Sequence, residues 1–244
     1  MNRVENLLAI IHEDPELLVI NKPAGLVCHP TKTDGYSSLI SRVRLHLAGA
    51  TRPHLVNRLD RETSGVMLVA KRDEAARELR RIWETRAADK EYLAIVHGHL
   101  PADHGLIDAP LGKDEQSPVA IKDCVCPAGA PSQTEFWVER RFRRSEGPFS
   151  LLRVVPHTGR KHQIRIHLAH HGHPVVGDKI YGGDENLYLD FVKNRLTEQG
   201  RRQLILPCHA LHALRVRFDW RARNWSFGAE PENWFTEFCC GVAA

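Results

Sequence analysis

The stretch Asn57-Arg58-Leu59-Asp60-Arg61-Glu62-Thr63-Ser64-Gly65, followed directly by Val66-Met67-Leu68-Val69-Ala70, organises the rest of this chain. It predicts a polar loop that leads into a buried strand. Asp60 lies between two arginines, and a nearby cation favours the ionised form of a carboxyl group. We therefore expect Asp60 to be charged at neutral pH, usable as a base or nucleophile and poor as a general acid. The alternative is a structural ion-paired turn, because structural ion pairs perturb carboxylates too.

Length and composition indicate an ordinary globular protein. The chain has 244 residues, of which 42% are hydrophobic, and its net charge is +4 with histidine neutral. A chain of this length buries enough surface to need no disulfide or metal staple. We predict a single catalytic domain over 1–244, with a core at about 10–220, an irregular excursion at 113–132 and a tail at 221–244. The modest positive charge permits an RNA partner without demanding one.

Cysteine usage and the chain start bear on location. The six cysteines have the spacing of neither a disulfide framework nor a zinc site. The start has no apolar stretch behind basic residues, and no apolar run reaches the roughly 20 residues needed to span a bilayer. We therefore predict a cytoplasmic protein with free thiols, without a membrane partner, and expect it to be a monomer.

The hydrophobic pattern predicts an α+β fold. Apolar runs and alternation predict strands at 17–20, 66–70, 92–96, 134–143, 149–155 and 209–218. Helical spacing predicts helices at 37–47, at 73–85 with Asp73 as a cap, and at 159–171 with Thr158 as a cap. On the last helix, Lys161, His162 and Arg165 would share one face. Strands interrupted by few helices, without regular βαβ alternation, indicate a largely antiparallel sheet.

The central loop resembles the signature of the RluA-type pseudouridine synthases, His-Arg-Leu-Asp, two variable residues, then Thr-Ser-Gly. Asn57 stands where that family usually has His, at a position that shapes the loop. Four further stretches resemble family motifs in the same order: Asp14 to Pro30 with its Asn-Lys-Pro-Ala-Gly-Leu turn, Lys90 to Ala94, Pro156 to Gly182 with its Thr-Gly-Arg-Lys-His-Gln-Ile-Arg run, and Leu211 to Ala213. Many members carry a small N-terminal RNA-binding domain, whereas this chain is expected to start almost directly in the catalytic domain.

The resemblance implies a pseudouridine synthase fold, with a mixed, largely antiparallel sheet that has helices on its faces. It also implies the isomerisation of uridine to pseudouridine with Asp60 as the catalytic carboxylate. Tyr92 would stack on the uracil and transfer a proton, and Arg165 is the candidate ion-pair partner of Asp60. The reaction gains no atoms and involves no net redox change, so neither a metal nor another cofactor is expected. Whether Asp60 attacks the sugar or the base, or promotes a glycal-type route, stays open.

Six basic residues are candidate RNA contacts: Arg58, Arg61, Lys90, Arg160, Lys161 and His162. Arg58 could clamp a phosphate or fill the space of a flipped-out nucleotide. The group around Arg160 would meet a phosphate near a helix N-terminus. The expected partner is a stem-loop of transfer or ribosomal RNA, with transfer RNA slightly favoured.

Two other functions are compatible with parts of the sequence. An RNA-binding protein could keep this fold without catalysis. A metallohydrolase could use the crowded histidines at positions 162, 167, 170, 171 and 173. However, His162 and His167 are five residues apart and would lie on opposite sides of a helix, and no His-Glu-x-x-His motif is present.

Overall fold

The computed structural model describes residues 7–30, 38–49 and 52–243. Within these ranges the strands, in chain order, are β1 (Ala9–Glu13), β2 (Leu17–Lys22), β3 (His54–Leu55), β4 (Ser64–Ala70), β5 (Asp89–His97), β6 (His104–Asp108), β7 (Leu111–Lys113), β8 (Asp123–Val125), β9 (Gln133–Arg144), β10 (Gly147–Pro156), β11 (Leu211–Trp220), β12 (Arg223–Gly228) and β13 (Val242–Ala243). The helices are α1 (Leu39–His46), α2 (Asp73–Glu84), α3 (Gln163–His170), α4 (Asn186–Val192), α5 (Glu198–Leu204) and α6 (Asn233–Phe238).

The chain divides into two compact units. The first unit contains Met1–Lys90 and His212–Glu232, and the second contains Glu91–Leu211 and Asn233–Ala244. Each unit has its own cluster of buried apolar side chains.

The first unit is built on strands β1, β2, β4 and β11 in that spatial order, with β3 beside β4 and β12 beside β11. Only the β4–β11 pair among these is parallel, and it joins Ser64 to His212 and Gly65 to Ala213. All seven residues of β4 are buried, as its continuous apolar run predicts. The core of the unit includes Leu17, Val19, Val66, Leu68, Leu79, Val216, Phe218, Trp225 and Phe227.

Helix α2 packs an apolar stripe of Ala75, Ala76 and Leu79 into this core. The prediction that Asp73 caps the helix is wrong by one residue, because Arg72 occupies the cap position and has no side-chain capping bond. The carboxylate of Asp73 instead contacts the His54 ring, with Oδ1 2.6 Å from Nε2.

The second unit is built on β5, β10, β9 and β13 in that spatial order, with β6 beside β9, and all these pairs are antiparallel. Strands β7 and β8 form a separate antiparallel pair, in which β8 lies inside the predicted excursion and β7 ends where that excursion begins. The core of the unit includes Val96, Phe136, Phe142, Phe149, Leu152, Val154, Ile164 and Leu168. The largely antiparallel pairing agrees with the fold class predicted from sequence.

The prediction for α3 is wrong at its start, because the helix begins at Gln163 rather than near Gly159. His162 has φ of 56°, which is left-handed backbone and incompatible with a continuing helix. The Gln163 side chain holds the preceding turn: its Oε1 accepts from the Thr158 hydroxyl at 2.6 Å and from the Arg160 N–H at 3.0 Å. Lys161 and His162 therefore belong to this turn and do not share a helix face with Arg165.

The tail contains β12 and α6, and its aromatic side chains Trp225, Phe235 and Phe238 are buried. Two arginines of β9 bind tail carbonyls within the second unit. Arg140 donates to Cys239 O at 3.0 Å and Gly241 O at 2.8 Å, and Arg144 donates to Phe238 O at 3.2 Å. These two arginines therefore have an intramolecular role.

Candidate functional site

The Asp60 loop belongs to the first unit and ends in a tight turn. The Thr63 N–H donates to Asp60 O at 3.2 Å. Arg58 and Arg61 are exposed, Asp60 is half-buried, and Leu59 and Thr63 are buried. The buried residues anchor the loop, Arg61 Nε donates to Gly25 O at 3.2 Å, and the Asp60 side chain is partly shielded from water.

Asn57 fastens the start of this loop to β4. Its Oδ1 accepts from the Leu68 N–H at 2.8 Å, and its Nδ2 donates to Val66 O at 3.3 Å. One side-chain amide thus bonds two backbone groups of the following strand. Asn57 acts as a loop-shaping residue, in keeping with the interpretation from sequence, although it differs from the histidine of the family pattern.

Lys22 joins the Asp60 loop to the turn at residues 23–26. Its side chain is fully buried, and Nζ donates to Pro23 O at 2.9 Å, Leu26 O at 2.9 Å and Arg61 O at 3.0 Å. An ammonium group carries three N–H donors, which matches these three carbonyls. The two motifs that the sequence places 30 to 40 residues apart are therefore one hydrogen-bonded structure. Sequence reasoning recognised the Asn-Lys-Pro-Ala-Gly-Leu turn that contains Lys22 but gave this lysine no role.

The end of the loop is held by His212 of β11. Ser64 Oγ lies 2.8 Å from His212 Nδ1, and His212 Nε2 lies 2.8 Å from Ala229 O. A carbonyl can only accept, so Nε2 carries the proton and Nδ1 accepts from the Ser64 hydroxyl. Burial lowers the pKa of the His212 imidazole, which keeps it neutral. The Thr-Ser-Gly and Leu-His-Ala motifs meet at this contact.

We predict that acid destabilises the protein through its buried neutral histidines. Burial lowers the pKa of both His167 and His212 below the ordinary value of 6.5. The unfolded chain therefore binds more protons than the folded one below pH 6.5. The free energy of unfolding should be unaffected above that pH and fall below it, by at most about 1.4 kcal/mol per pH unit per histidine.

Urea denaturation between pH 7.5 and 5.5 measures this effect. The variant His29→Gln, which removes an exposed histidine, is the control. A free energy of unfolding that stays flat down to pH 5.5 would contradict the prediction.

Arg165 lies in the second unit and forms a buried ion pair with Asp178. Its Nε lies 2.6 Å from Asp178 Oδ2 and its Nη2 lies 2.8 Å from Oδ1, with side-chain exposures of 5% and 0% for the two residues. Sequence reasoning recognised the Gly-Asp-Lys-Ile-Tyr-Gly run that contains Asp178 but gave it no role. The ion pair predicted between Arg165 and Asp60 stays a prediction.

The turn before α3 carries the other basic candidates of the second unit. Lys161 Nζ lies 2.9 Å from Asp123 Oδ2, and its side chain is 49% exposed. His162 Nδ1 lies 2.9 Å from the Tyr181 hydroxyl, which also accepts from the Asp123 N–H at 3.3 Å. Arg160 is exposed. Strand β8 thereby braces the turn, so that its basic groups have defined positions.

Tyr92 and Lys90 lie on β5. Tyr92 pairs with Val154 of β10, is half-buried, and packs against the core of the second unit. Lys90 is half-buried in the first unit, and burial together with the charge of Arg86 lowers the pKa of its ammonium group. Among the nine site candidates, the structure therefore groups Arg58, Asp60 and Arg61 in one loop and Arg160, Lys161 and His162 in the turn before α3, while Arg165 lies in that helix.

Two further properties concern the described ranges 7–30, 38–49 and 52–243 alone. None of their helices is long and apolar enough to cross a membrane. None of their His, Cys, Asp and Glu side chains form a group of three or more arranged to hold a metal ion. Both nitrogens of His167 are engaged, Nδ1 with Thr134 Oγ1 at 2.8 Å and Nε2 with Ala109 O at 2.9 Å.

Comparison with known proteins gives consistent matches. The family model described as RNA pseudouridylate synthase matches residues 16–170. An uncharacterized RNA pseudouridine synthase of Aquifex aeolicus is 42% identical over 188 residues, covering 73% of this chain and 57% of that protein. Ribosomal large subunit pseudouridine synthase D of Pseudomonas aeruginosa is 37% identical over 217 residues, covering 87% of this chain and 64% of that protein.

A solved structure agrees with these matches. The structure titled Human RNA Pseudouridylate Synthase Domain Containing 1 superposes with a TM-score of 0.78 at 26% identity, covering all of this chain and 91% of that one. The chain spans between half and two thirds of the length of the curated relatives that it matches.

Proposed function

The chain belongs to the RNA pseudouridylate synthase family, and from this premise we propose that it isomerises uridines in structured RNA to pseudouridine. The match of residues 16–170 carries the proposal, since it spans Asp60, Tyr92 and Arg165 together. We also keep, as part of the proposal, the organisation predicted from sequence, one catalytic domain over 1–244.

The proposed reaction breaks the bond between uracil N1 and the ribose C1′ and forms a bond from C5 of the same base to C1′. The proton on C5 is lost and N1 gains a proton, so atoms and electrons balance within the substrate. The protein must supply a carboxylate at the junction of sugar and base, hold the base edge, and exclude water while the base is detached.

Asp60 supplies the carboxylate in this proposal. Its half-buried position suits a charged group that must meet substrate, and the bonds from Asn57 and Lys22 fix its loop before substrate arrives. Arg165 would orient and stabilise the carboxylate, and Tyr92 would stack on the uracil and exchange a proton with it.

Six basic side chains, of which Lys90 and His162 are half-buried and the others exposed, are the proposed RNA contacts. Arg58 and Arg61 flank the carboxylate in the same loop, and both are exposed. A target base must leave its stack before the glycosidic bond is reachable, and in this proposal Arg58 would fill the vacated space or clamp a phosphate. Lys90, Arg160, Lys161 and His162 would position the RNA backbone rather than read its sequence.

We propose ribosomal RNA as the substrate class. Several relatives are named ribosomal large subunit pseudouridine synthases. This replaces the slight preference for transfer RNA drawn from sequence. A uridine in a stem-loop is the expected target, because unpaired bases can be splayed out at low cost.

Pseudouridine mapping of total RNA from cells with and without the gene tests the proposal. We expect one or more sites in ribosomal RNA to disappear when the gene is absent. A tritium-release assay on RNA labelled at uracil C5 tests turnover directly. Binding of RNA without tritium release would support the alternative of an RNA-binding protein that has the same fold and no catalysis.

The salt dependence of RNA binding should depend on Lys161. Its side chain is half-exposed in the ion pair with Asp123, so a phosphate can compete for it. We expect Lys161→Ala to reduce the slope of log affinity against log salt by about 0.7 to 0.9, the value for one phosphate contact. Filter binding at several salt concentrations measures the slope, with Lys193→Ala, at an exposed lysine, as the control. Equal slopes in all three proteins would remove Lys161 from the interface.

A further inference from the structure

We propose that Asp178 is a positioning residue for Arg165, and that its carboxylate fixes the guanidinium in the orientation the reaction uses. The inference rests on the proposed function, in which Arg165 is the partner of the catalytic carboxylate. Asp178 would not touch the substrate. It would act through Arg165.

The geometry of the pair is that of a fixed, two-point contact. Arg165 Nε lies 2.6 Å from Asp178 Oδ2, and Nη2 lies 2.8 Å from Oδ1. Because one bond uses Nε and the other a terminal nitrogen, the guanidinium plane cannot rotate without breaking both. A guanidinium has five N–H donors, so this contact leaves it able to serve another acceptor.

Asp178 stays ionised although it is buried. Burial by itself would raise the pKa of its carboxyl group, but the Arg165 guanidinium and backbone N–H donors hold that pKa well below its usual range. The negative charge therefore persists throughout the neutral pH range, and the pair is a constant feature of the folded protein.

The same carboxylate organises the loop beyond it. Asp178 Oδ1 also accepts from the Ile180 N–H at 2.9 Å and the Tyr181 N–H at 3.0 Å. The Tyr181 ring centroid lies 5.1 Å from Arg165 Cζ, and the Tyr181 hydroxyl bonds His162. Asp178 thereby ties Arg165 to the turn that carries the proposed RNA contacts.

Stability alone does not account for this arrangement. Removing two charges from water costs about as much as their attraction returns, so buried ion pairs are often replaceable by apolar side chains. An uncharged asparagine at this position would still accept from the Ile180 and Tyr181 N–H groups, so those bonds do not require the charge. What the ion pair adds is a fixed direction for the guanidinium.

The first experiment is the variant Asp178→Asn, which keeps an oxygen for the Ile180 and Tyr181 N–H groups but loses the charge. We expect kcat to fall about 10- to 100-fold, the effect of a small misplacement of a catalytic group, while the Kd for substrate RNA changes less than threefold. Asp103→Asn is the matched control, since Asp103 is 82% exposed and its Oδ1 lies 2.7 Å from Arg141 Nη1. It should leave kcat within twofold of wild type.

A double-mutant cycle with Arg165→Lys separates positioning from a general structural role. If Asp178 acts through Arg165, adding Asp178→Asn to Arg165→Lys should lower kcat less than twofold further. If the effects on kcat multiply, or if Asp178→Asn alone keeps kcat within twofold of wild type, the inference is overturned. If Asp178→Asn does not fold, Asp178→Glu replaces it in the double-mutant cycle. This variant keeps the charge and shifts it by one methylene.

Proton exchange at Arg165 Nε, followed by nuclear magnetic resonance, does not depend on turnover. We expect slow exchange in the wild type and at least tenfold faster exchange in the Asp178 variant that folds. Equal rates in both proteins would overturn the inference. A wild-type protein that makes no pseudouridine would refute the proposed function instead, while the exchange rates still decide whether Asp178 fixes Arg165.

Discussion

Asp60→Asn is expected to abolish pseudouridine formation while the fold and the affinity for RNA persist. The substitution keeps the size of the side chain and removes the charge that the proposed reaction needs at the junction of sugar and base. Loss of a group that reacts directly with substrate lowers kcat by at least about 1,000-fold in well-studied enzymes. The neighbouring bonds of Asn57 and Lys22 involve other atoms and should hold the loop in place.

Single-turnover tritium release, measured with saturating enzyme, gives the size of this effect. Asp73→Asn is the matched control, because it removes a 68% exposed carboxylate from the same unit. Its rate should stay within twofold of wild type. If Asp60→Asn keeps activity within tenfold of wild type, Asp60 is not the catalytic carboxylate.

Strands were predictable from sequence where apolar residues are consecutive or alternate with polar ones. The apolar run before Ala70 and the alternation of β9 and β10 gave elements that the structure reproduces within a few residues. Strand β1 was not predicted, because its residues are exposed or half-buried. It is held by pairing with β2. Such pairing is a tertiary interaction that a local pattern does not contain.

The start of α3 shows a second limit. A threonine followed by a glycine and polar residues has the composition of a helix cap. The outcome depends on Gln163, whose Nε2 donates to Gln133 O at 2.8 Å and to Thr134 Oγ1 at 3.0 Å, about 30 positions earlier in the chain. Long-range bonds of this kind decide where a helix begins, so boundaries are less predictable than elements.

The proposed reactive groups could be named from sequence, whereas their supports could not. Asp60, Tyr92 and Arg165 stand in recognisable motifs, and their catalytic roles stay predictions. Lys22 and Asp178 make buried contacts with groups that the sequence does not place beside them. These contacts became visible only with the hydrogen-bond partners.

The largest effect on stability is expected from Lys22→Met, which keeps the length of the side chain and removes the ammonium group. The carbonyls of Pro23, Leu26 and Arg61 then lose the donor that they share in a fully buried position. A buried polar group left without its partner costs about 1 to 3 kcal/mol. With some relaxation of three such groups, we expect the free energy of unfolding to fall by about 3 to 5 kcal/mol.

Urea denaturation at pH 7.5 measures this loss, and Lys71→Met supplies the control in the same unit. Lys71 Nζ lies 2.5 Å from Glu13 Oε1, but Glu13 is 32% exposed and can turn to water, so this variant should lose at most about 1 kcal/mol. Under conditions in which the variant is fully folded, Lys22→Met should also lower kcat, because the carbonyl of Arg61, next to Asp60, loses its hydrogen bond. Equal stability losses in the two variants would show that the Asp60 loop is held by other contacts and that Lys22 is an ordinary core residue.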